Sequence, residues 1–237
     1  AQEVKWMSIG DLHNWYSAAG SEIEVGRTGQ VSDQQDGLRY PAFYRVQDNQ
    51  AAKGLWLGAS NFYDPVVNKN YDKKVVHAGP RHLDIENETM PVKLTMDGKY
   101  DHPNVFVDGD PATNLQYLDY VDNVNPSLES DRKINNIVQT SLGVQMKRTI
   151  YAFAHPDHQN YHIQEYVFTN NGCFDKDCNT SYEQTLEGFQ VYLQYRYAIS
   201  REGMVYDGNW LPQSAAWGHN TMNCLLYTSP SPRDFEA

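Results

Sequence analysis

The chain has no stretch approaching the ~20 consecutive apolar residues that a membrane helix needs. It holds only 3 cysteines in 237 residues, too few for a fold built on a disulfide scaffold. Positive charge is scarce as well: 19 Lys and Arg face 30 Asp and Glu, a formal net charge of -11. Such a surface repels phosphate backbones, and no basic stripe interleaves with the aromatics, which argues against nucleic acid as a partner. Also missing are a Gly-x-Ser-x-Gly elbow, a His-Glu-x-x-His pair and a Gly-rich phosphate loop. With them go the common serine-hydrolase, zinc-protease and nucleotide-binding readings.

What the chain does have is material for a core and for sheets. Hydrophobic residues make up 40% and charged residues 21%, without long charge runs, so wholesale disorder is not expected. Tyrosine is abundant, at 17 residues beside 5 Trp and 8 Phe. A tyrosine suits a half-buried sheet, with its ring inside and its hydroxyl at the wet edge. It equally suits surfaces that contact carbohydrate or protein.

Period-two alternation carries the fold reading. Val144, Met146, Ile150, Ala152 and Ala154 share one face of a strand, broken by Arg148. A six-residue loop from His155 to Asn160 leads into a second strand, Tyr161 to Thr169, which ends at Asn170-Asn171-Gly172. Pairing Ala154 with Tyr161 sets Arg148 and Glu165 on one face as diagonal neighbours. Each is then the lone charge in an apolar row, and an ion pair accounts for both. A third strand places Phe189, Val191, Leu193, Tyr195, Tyr197 and Ile199 on one side, with Gln190, Tyr192, Gln194 and Arg196 on the other. Further strands are expected at Phe43–Val46, at Val75–Ala78 and at the apolar run Gly54-Leu55-Trp56-Leu57-Gly58-Ala59, read as buried. Asp97-Gly98 and Asp108-Gly109 read as turns. Short helices are expected at Asp11–Gly20, capped by Asp11 and stopped by Gly20, and at residues 127–134 after Pro126. The fold class expected is mainly β: an antiparallel β-sandwich with a looser N-terminal lobe and one or two short helices. Residues 1–125 form the lobe and 126–223 the sandwich, with the boundary near Pro126.

Candidate chemistry is thin. The segment Asp175-Lys176-Asp177-Cys178-Asn179 spaces oxygen side chains alternately, with Glu183 further on. Alternate oxygens on a tight loop suit Ca²⁺. Against an EF-hand loop the match is partial, because Thr180 and Leu186 stand at the glycine and glutamate positions. The other reading of Asp175, Asp177, Asn179 and Glu183 is a solvated hairpin loop. No other cofactor is indicated. Cys173 and Cys178, with four residues between them, suit a local disulfide in an oxidising compartment, or two thiols in a reducing one. His155, Asp157, His158 and His162 cluster around a loop and offer transition-metal ligands, though an ordinary turn explains them too. His77 and His219 are lone histidines, each chemically able to act as a base but more commonly structural in β-proteins. No catalytic residue can be assigned.

Two resemblances complete the reading. The blocks Asp36-Gly37-Leu38-Arg39-Tyr40-Pro41 and Gly54-Leu55-Trp56-Leu57-Gly58-Ala59, with Arg148–Ala154 and Ile163–Gly172, resemble large secreted bacterial proteins that end in a type IX secretion sorting domain. That family is largely uncharacterised, and its shared motifs are structural, so the resemblance carries over no catalytic residues. It implies an extracellular or cell-surface location, which favours the Cys173–Cys178 bridge. Separately, Cys224–Asp234 resembles the in-frame translation of a sequencing-library adapter. On that reading residues 224–237 are an artefactual tail of a metagenomic fragment, the natural protein continues past Asn223, and the tail makes no packed contacts. The function expected is a non-enzymatic structural, adhesive or carbohydrate-contacting module of an extracellular bacterial protein, partnered by a glycan or another surface protein. The alternative is a secreted polysaccharide hydrolase using paired carboxylates.

Overall fold

Residues that alternate between apolar and polar must lie on a surface with one wet face, and most of this chain does. The computed structural model describes residues 3–23, 38–43, 50–78, 88–102, 105–112, 119–197, 205–206, 209–210 and 221–226. Among them the backbone forms strands and no helix. In chain order these are β1 (Val4–Met7), β2 (Asn14–Ser17), β3 (Glu22–Ile23), β4 (Gln50–Asp64), β5 (Lys69–Ala78), β6 (Thr89–Gly98), β7 (Phe106–Val107), β8 (Asp110–Pro111), β9 (Asn123–Val124), β10 (Arg132–Thr140), β11 (Val144–Ala152), β12 (Ile163–Asn170), β13 (Glu187–Tyr197), β14 (Val205–Tyr206), β15 (Asn209–Trp210) and β16 (Thr221–Leu226).

One sheet runs β12-β11-β10-β6-β9, and a second runs β16-β13-β4-β3, with β5 also paired to β4. The first sheet is mixed rather than purely antiparallel, because β9 runs parallel to β6. Each sheet joins strands from both sides of Pro126: β6 pairs with β10, and β4 with β13. The division expected there therefore does not separate the sheets. The Asp108-Gly109 turn joins β7 to β8, with φ of 53° and 91° at its two residues. Positive φ at both centres is the geometry that favours Asp-Gly in two-residue hairpins. Asp97 and Gly98, by contrast, end strand β6 rather than forming a turn.

The sheets face each other. Val138, Val144 and Met146 from the first pack with Leu55, Leu57, Val76, Val191 and Leu193 from the second, and Phe62 and Phe174 close the cluster. Each such buried aliphatic side chain contributes about 1.5–3 kcal/mol relative to exposure. The rest of the first sheet's inner face (Leu94, Met96, Ile134, Ile150 and Ala152) is covered by Met7, Tyr16 and Ala18. Those residues come from the β1–β2 hairpin and the turn after it.

That hairpin corrects the helix expected at Asp11–Gly20. Trp15 and Tyr16 pair instead with Trp6 and Lys5. Every residue from Asn14 to Glu22 is buried, where a helix would turn part of its surface outward. Large aromatics fit a pleated, covered surface better than a short helix. The turns expected at 127–134 are also not helical. Asn125 accepts the Ser127 N–H through its Oδ1 at 3.0 Å, a local turn, and Arg132 already begins β10. Phe43 lies in a turn, and residues 44–46 lie outside the described residues.

The hairpin register is also corrected. Arg148 faces Tyr166, and Glu165 faces Thr149. The observed register differs by one residue from the expected one, and such a slip moves every side chain of a strand to the other face. Arg148 and Glu165 therefore lie on opposite faces and form no pair. Glu165 lies on the outer face near Tyr151, whose hydroxyl pKa is raised by burial and by that carboxylate. Arg148 points inward and is fully buried.

Inside, Arg148 meets backbone rather than a carboxylate. Its Nη1 donates to the Gly20 carbonyl at 3.0 Å and its Nη2 to the Ser17 carbonyl at 2.9 Å. Its guanidinium also lies over the Tyr16 ring, 5.6 Å from the centroid. The cross-strand partner Asn136, equally buried, donates to the Ala18 carbonyl at 2.9 Å. Three carbonyls of one turn are thus held by two adjacent strands. Gly20 has φ of +98°, the left-handed region where glycine is favoured.

Residues 224–226 are strand residues: Cys224 pairs with Leu193, Leu225 with Tyr192 and Leu226 with Val191. The expectation that the segment from residue 224 packs against nothing is corrected for these three. Residues 227–237 lie outside the described residues.

Arg148→Ala is expected to lower unfolding stability by about 3–5 kcal/mol, since it strands two buried carbonyls and opens a cavity. Arg148→Lys keeps the charge but lacks the two-pronged donor, and should lose less, ~1–3 kcal/mol. Urea midpoints for the two variants check the order; equal midpoints for wild type and the alanine variant would contradict it.

Candidate functional site

Four groups of side chains bear on chemistry. The first is a buried polar network beside the Arg148 turn. Glu22, 2% exposed, accepts from Asn14 Nδ2 at 2.6 Å and from Gln164 Nε2 at 2.9 Å. Gln164 in turn accepts from the Tyr166 hydroxyl at 2.9 Å. Tyr16 Oη meets His162 Nδ1 at 2.7 Å. Burial holds the His162 pKa down at about 4, with Glu22 opposing the shift more weakly. These groups join β2, β3 and β12, and their bonds are spent within the protein.

The histidines expected to cluster are divided by this arrangement. His162 goes inward to Tyr16, while His155 and His158 stay in the exposed loop. There His155 Nδ1 accepts from the Asp157 backbone N–H at 3.2 Å, and His158 Nδ1 bonds the Tyr161 hydroxyl. Asp157 lies 3.7 Å from His155. His219 lies outside the described residues.

In the loop after β12, Cys173 and Cys178 are joined by a disulfide. Asp175 Oδ1 accepts from the backbone N–H groups of Asp177 at 3.0 Å and Asn179 at 2.9 Å, and Oδ2 from that of Thr180. Those donors, Asn179 and Thr180 foremost, lower the Asp175 pKa. Phe174 roots the loop in the core against Phe62. Asp175, Asp177 and Asn179 line one wall of an open cleft of about 600 Å³, opposite Met90–Leu94. Glu183 lines a different one, of about 400 Å³, with Asn170 and Asn171. The structure therefore brings three of the four oxygen residues together and leaves Glu183 apart. Among the described residues, no three His, Cys, Asp or Glu side chains converge as a metal site.

The fourth group was not legible as a site. Within β4, Leu55, Leu57 and Ala59 are buried, but Trp56 points out of the sandwich and is 37% exposed. The apolar run read as a buried strand is buried at Leu55, Leu57 and Ala59, but on its other face Trp56 is exposed. Trp56 sits directly between Tyr192 of β13 and His77 of β5. Its ring centroid lies 5.8 Å from Tyr192 and 5.6 Å from His77, at interplanar angles of 66° and 59°. Glu88 Oε2 accepts from both the His77 backbone N–H at 3.1 Å and its ring Nδ1 at 2.9 Å, which fixes that ring beside the indole. Gly54 and Gly58 give this face no side chain on either side of Trp56 along the strand. Gln194 and Gln190 stand across from those glycines. The signal was present in Gly54-Leu55-Trp56-Leu57-Gly58, where small residues alternate with one large aromatic on a single face.

Comparison with protein-family profiles, curated proteins and solved structures finds no match.

Two outcomes follow from this chemistry. His162 binds a proton at about 4 in the folded protein and at 6.5 when exposed. Between those values the unfolded chain takes up a proton that the folded one refuses, so stability falls as pH drops from about 6.5 to 4. The full fall is about 3 kcal/mol for that group, on the scale of 1.36 kcal/mol per pKa unit. His13, also lowered by burial, adds in the same direction. His162→Gln should flatten the curve in that window, as chemical denaturation at a series of pH values would reveal. Separately, the disulfide closes a short loop, so the Cys173→Ser/Cys178→Ser variant should lose about 2 kcal/mol and stay folded. Unchanged stability in the double variant, measured without reductant, would contradict that.

Proposed function

We propose that this chain is a non-enzymatic module of an extracellular or cell-surface bacterial protein, acting through structural, adhesive or carbohydrate contacts. One observation carries the reading: the aromatic row Tyr192–Trp56–His77 lies on the outer face of the second sheet, across three hydrogen-bonded strands. Aromatic side chains set on strands offer contact area whose ordering cost is already met by the fold. Glu22, Arg148 and His162 serve the scaffold instead, each hydrogen-bonded inside it. The Cys173–Cys178 bridge fits an oxidising compartment. The resemblance to secreted bacterial proteins supports the same location.

Incubation of the purified chain with a polysaccharide panel should release no reducing sugar above a protein-free blank. Turnover of any member, abolished by replacing a carboxylate pair, would establish the hydrolase instead.

A further inference from the structure

Building on the contact-module reading, we propose that the face around Trp56, bordered by Tyr192, His77, Gln190 and Gln194, binds an uncharged saccharide. A sugar ring presents a patch of C–H groups on its face and hydroxyls around its rim. The first packs on an aromatic ring; the second need neutral groups that both donate and accept. Trp56 supplies the ring, and the glutamine amides supply donor and acceptor together. Each glutamine stands across from a glycine, diagonal to Trp56, within side-chain reach of the rim of a sugar resting on the indole.

Gly58 sharpens the inference. A Cβ built there meets only Val75 Cγ2 at 3.6 Å and the Lys74 carbonyl at 3.7 Å, which is ordinary contact. Its φ is not in the left-handed region. Packing and backbone thus leave room for a side chain, and glycine in a strand interior has an entropic cost. Its absence leaves β4 without a side chain beside the indole, where a neighbouring sugar unit could approach the backbone.

Charge selects among saccharides. The protein carries a formal net charge of -11, which disfavours sulfated and uronate polymers. The carboxylate beside the row, Glu88, already accepts two hydrogen bonds from His77.

The test uses the full chain with hydroxyethylcellulose, xylan and galactomannan as uncharged probes, and alginate and heparin as anionic ones. Affinity electrophoresis or calorimetry should detect binding to at least one uncharged polymer. Trp56→Ala should weaken it by about tenfold or more, the scale for truncating a central aromatic anchor. Gly58→Thr should weaken it comparably while leaving the melting temperature unchanged or higher. Tyr120→Ala, which removes an exposed aromatic elsewhere, should have no effect. Binding to none of the uncharged polymers, binding to the anionic ones alone, or equal affinity in the Trp56 and Gly58 variants would each overturn the site. Those outcomes would leave the non-enzymatic reading standing. Sugar release would sink that reading without moving Trp56.

Discussion

The two bonds from Arg148 to the carbonyls of Ser17 and Gly20 hold the architecture together. The inner face of the first sheet is covered by two different partners. The second sheet packs on Val138, Val144 and Met146, and the β1–β2 hairpin packs on Ile134, Ile150 and Ala152. Arg148 and Asn136 lie side by side in the row between those two sets. The chain must cross that row to pass from the hairpin to β3, and it crosses as a tight turn with buried carbonyls. Buried carbonyls need donors, and these two side chains provide them. A charge so deeply placed would be costly without such partners.

Glu22 then extends the same logic. It follows the turn, enters β3, and is itself bonded to Asn14 and Gln164. The segment 14–22 is thus tied to β11 by an arginine and to β12 by a glutamine. Polar groups here specify where one layer ends and the other begins, a task that interchangeable apolar contacts perform poorly. The outward-facing aromatic row depends on this arrangement indirectly. Trp56 faces outward because Leu55, Leu57 and Ala59 are drawn into the core that the two sheets share.

Much of the β architecture was legible in the sequence, because the signal is local. Val144–Ala152 and Phe189–Tyr195 largely alternate: Val144, Met146, Ile150, Ala152, Val191 and Leu193 of their inward rows are buried, and Phe189 and Tyr195 pack partly buried against the same core. What failed was non-local. The pairing of β11 with β12 was read from loop length, and one residue of uncertainty placed Glu165 on the wrong face. Arg148 was correctly singled out as an exception, but its partners lie near residue 20, beyond the reach of periodicity. The Asp11–Gly20 segment has good helix-capping residues at both ends, yet its aromatics are claimed by β1 and by the sheet below. Tertiary burial outweighed local preference there. Trp56 was hidden inside a run of apolar letters, since hydropathy does not distinguish the two faces of a strand.

The interleaved strand order also bears on how the molecule assembles. β4 borders β13, so the second sheet cannot complete itself until nearly the whole described chain is available. Contacts so distant along the backbone demand loop closure before they return any stabilisation, which places this topology among slow folders. During that interval β4 has only the short β3 and β5 as strand partners, with its apolar side not yet covered by the first sheet. A chain built this way gains from being guarded against self-association until its later half arrives.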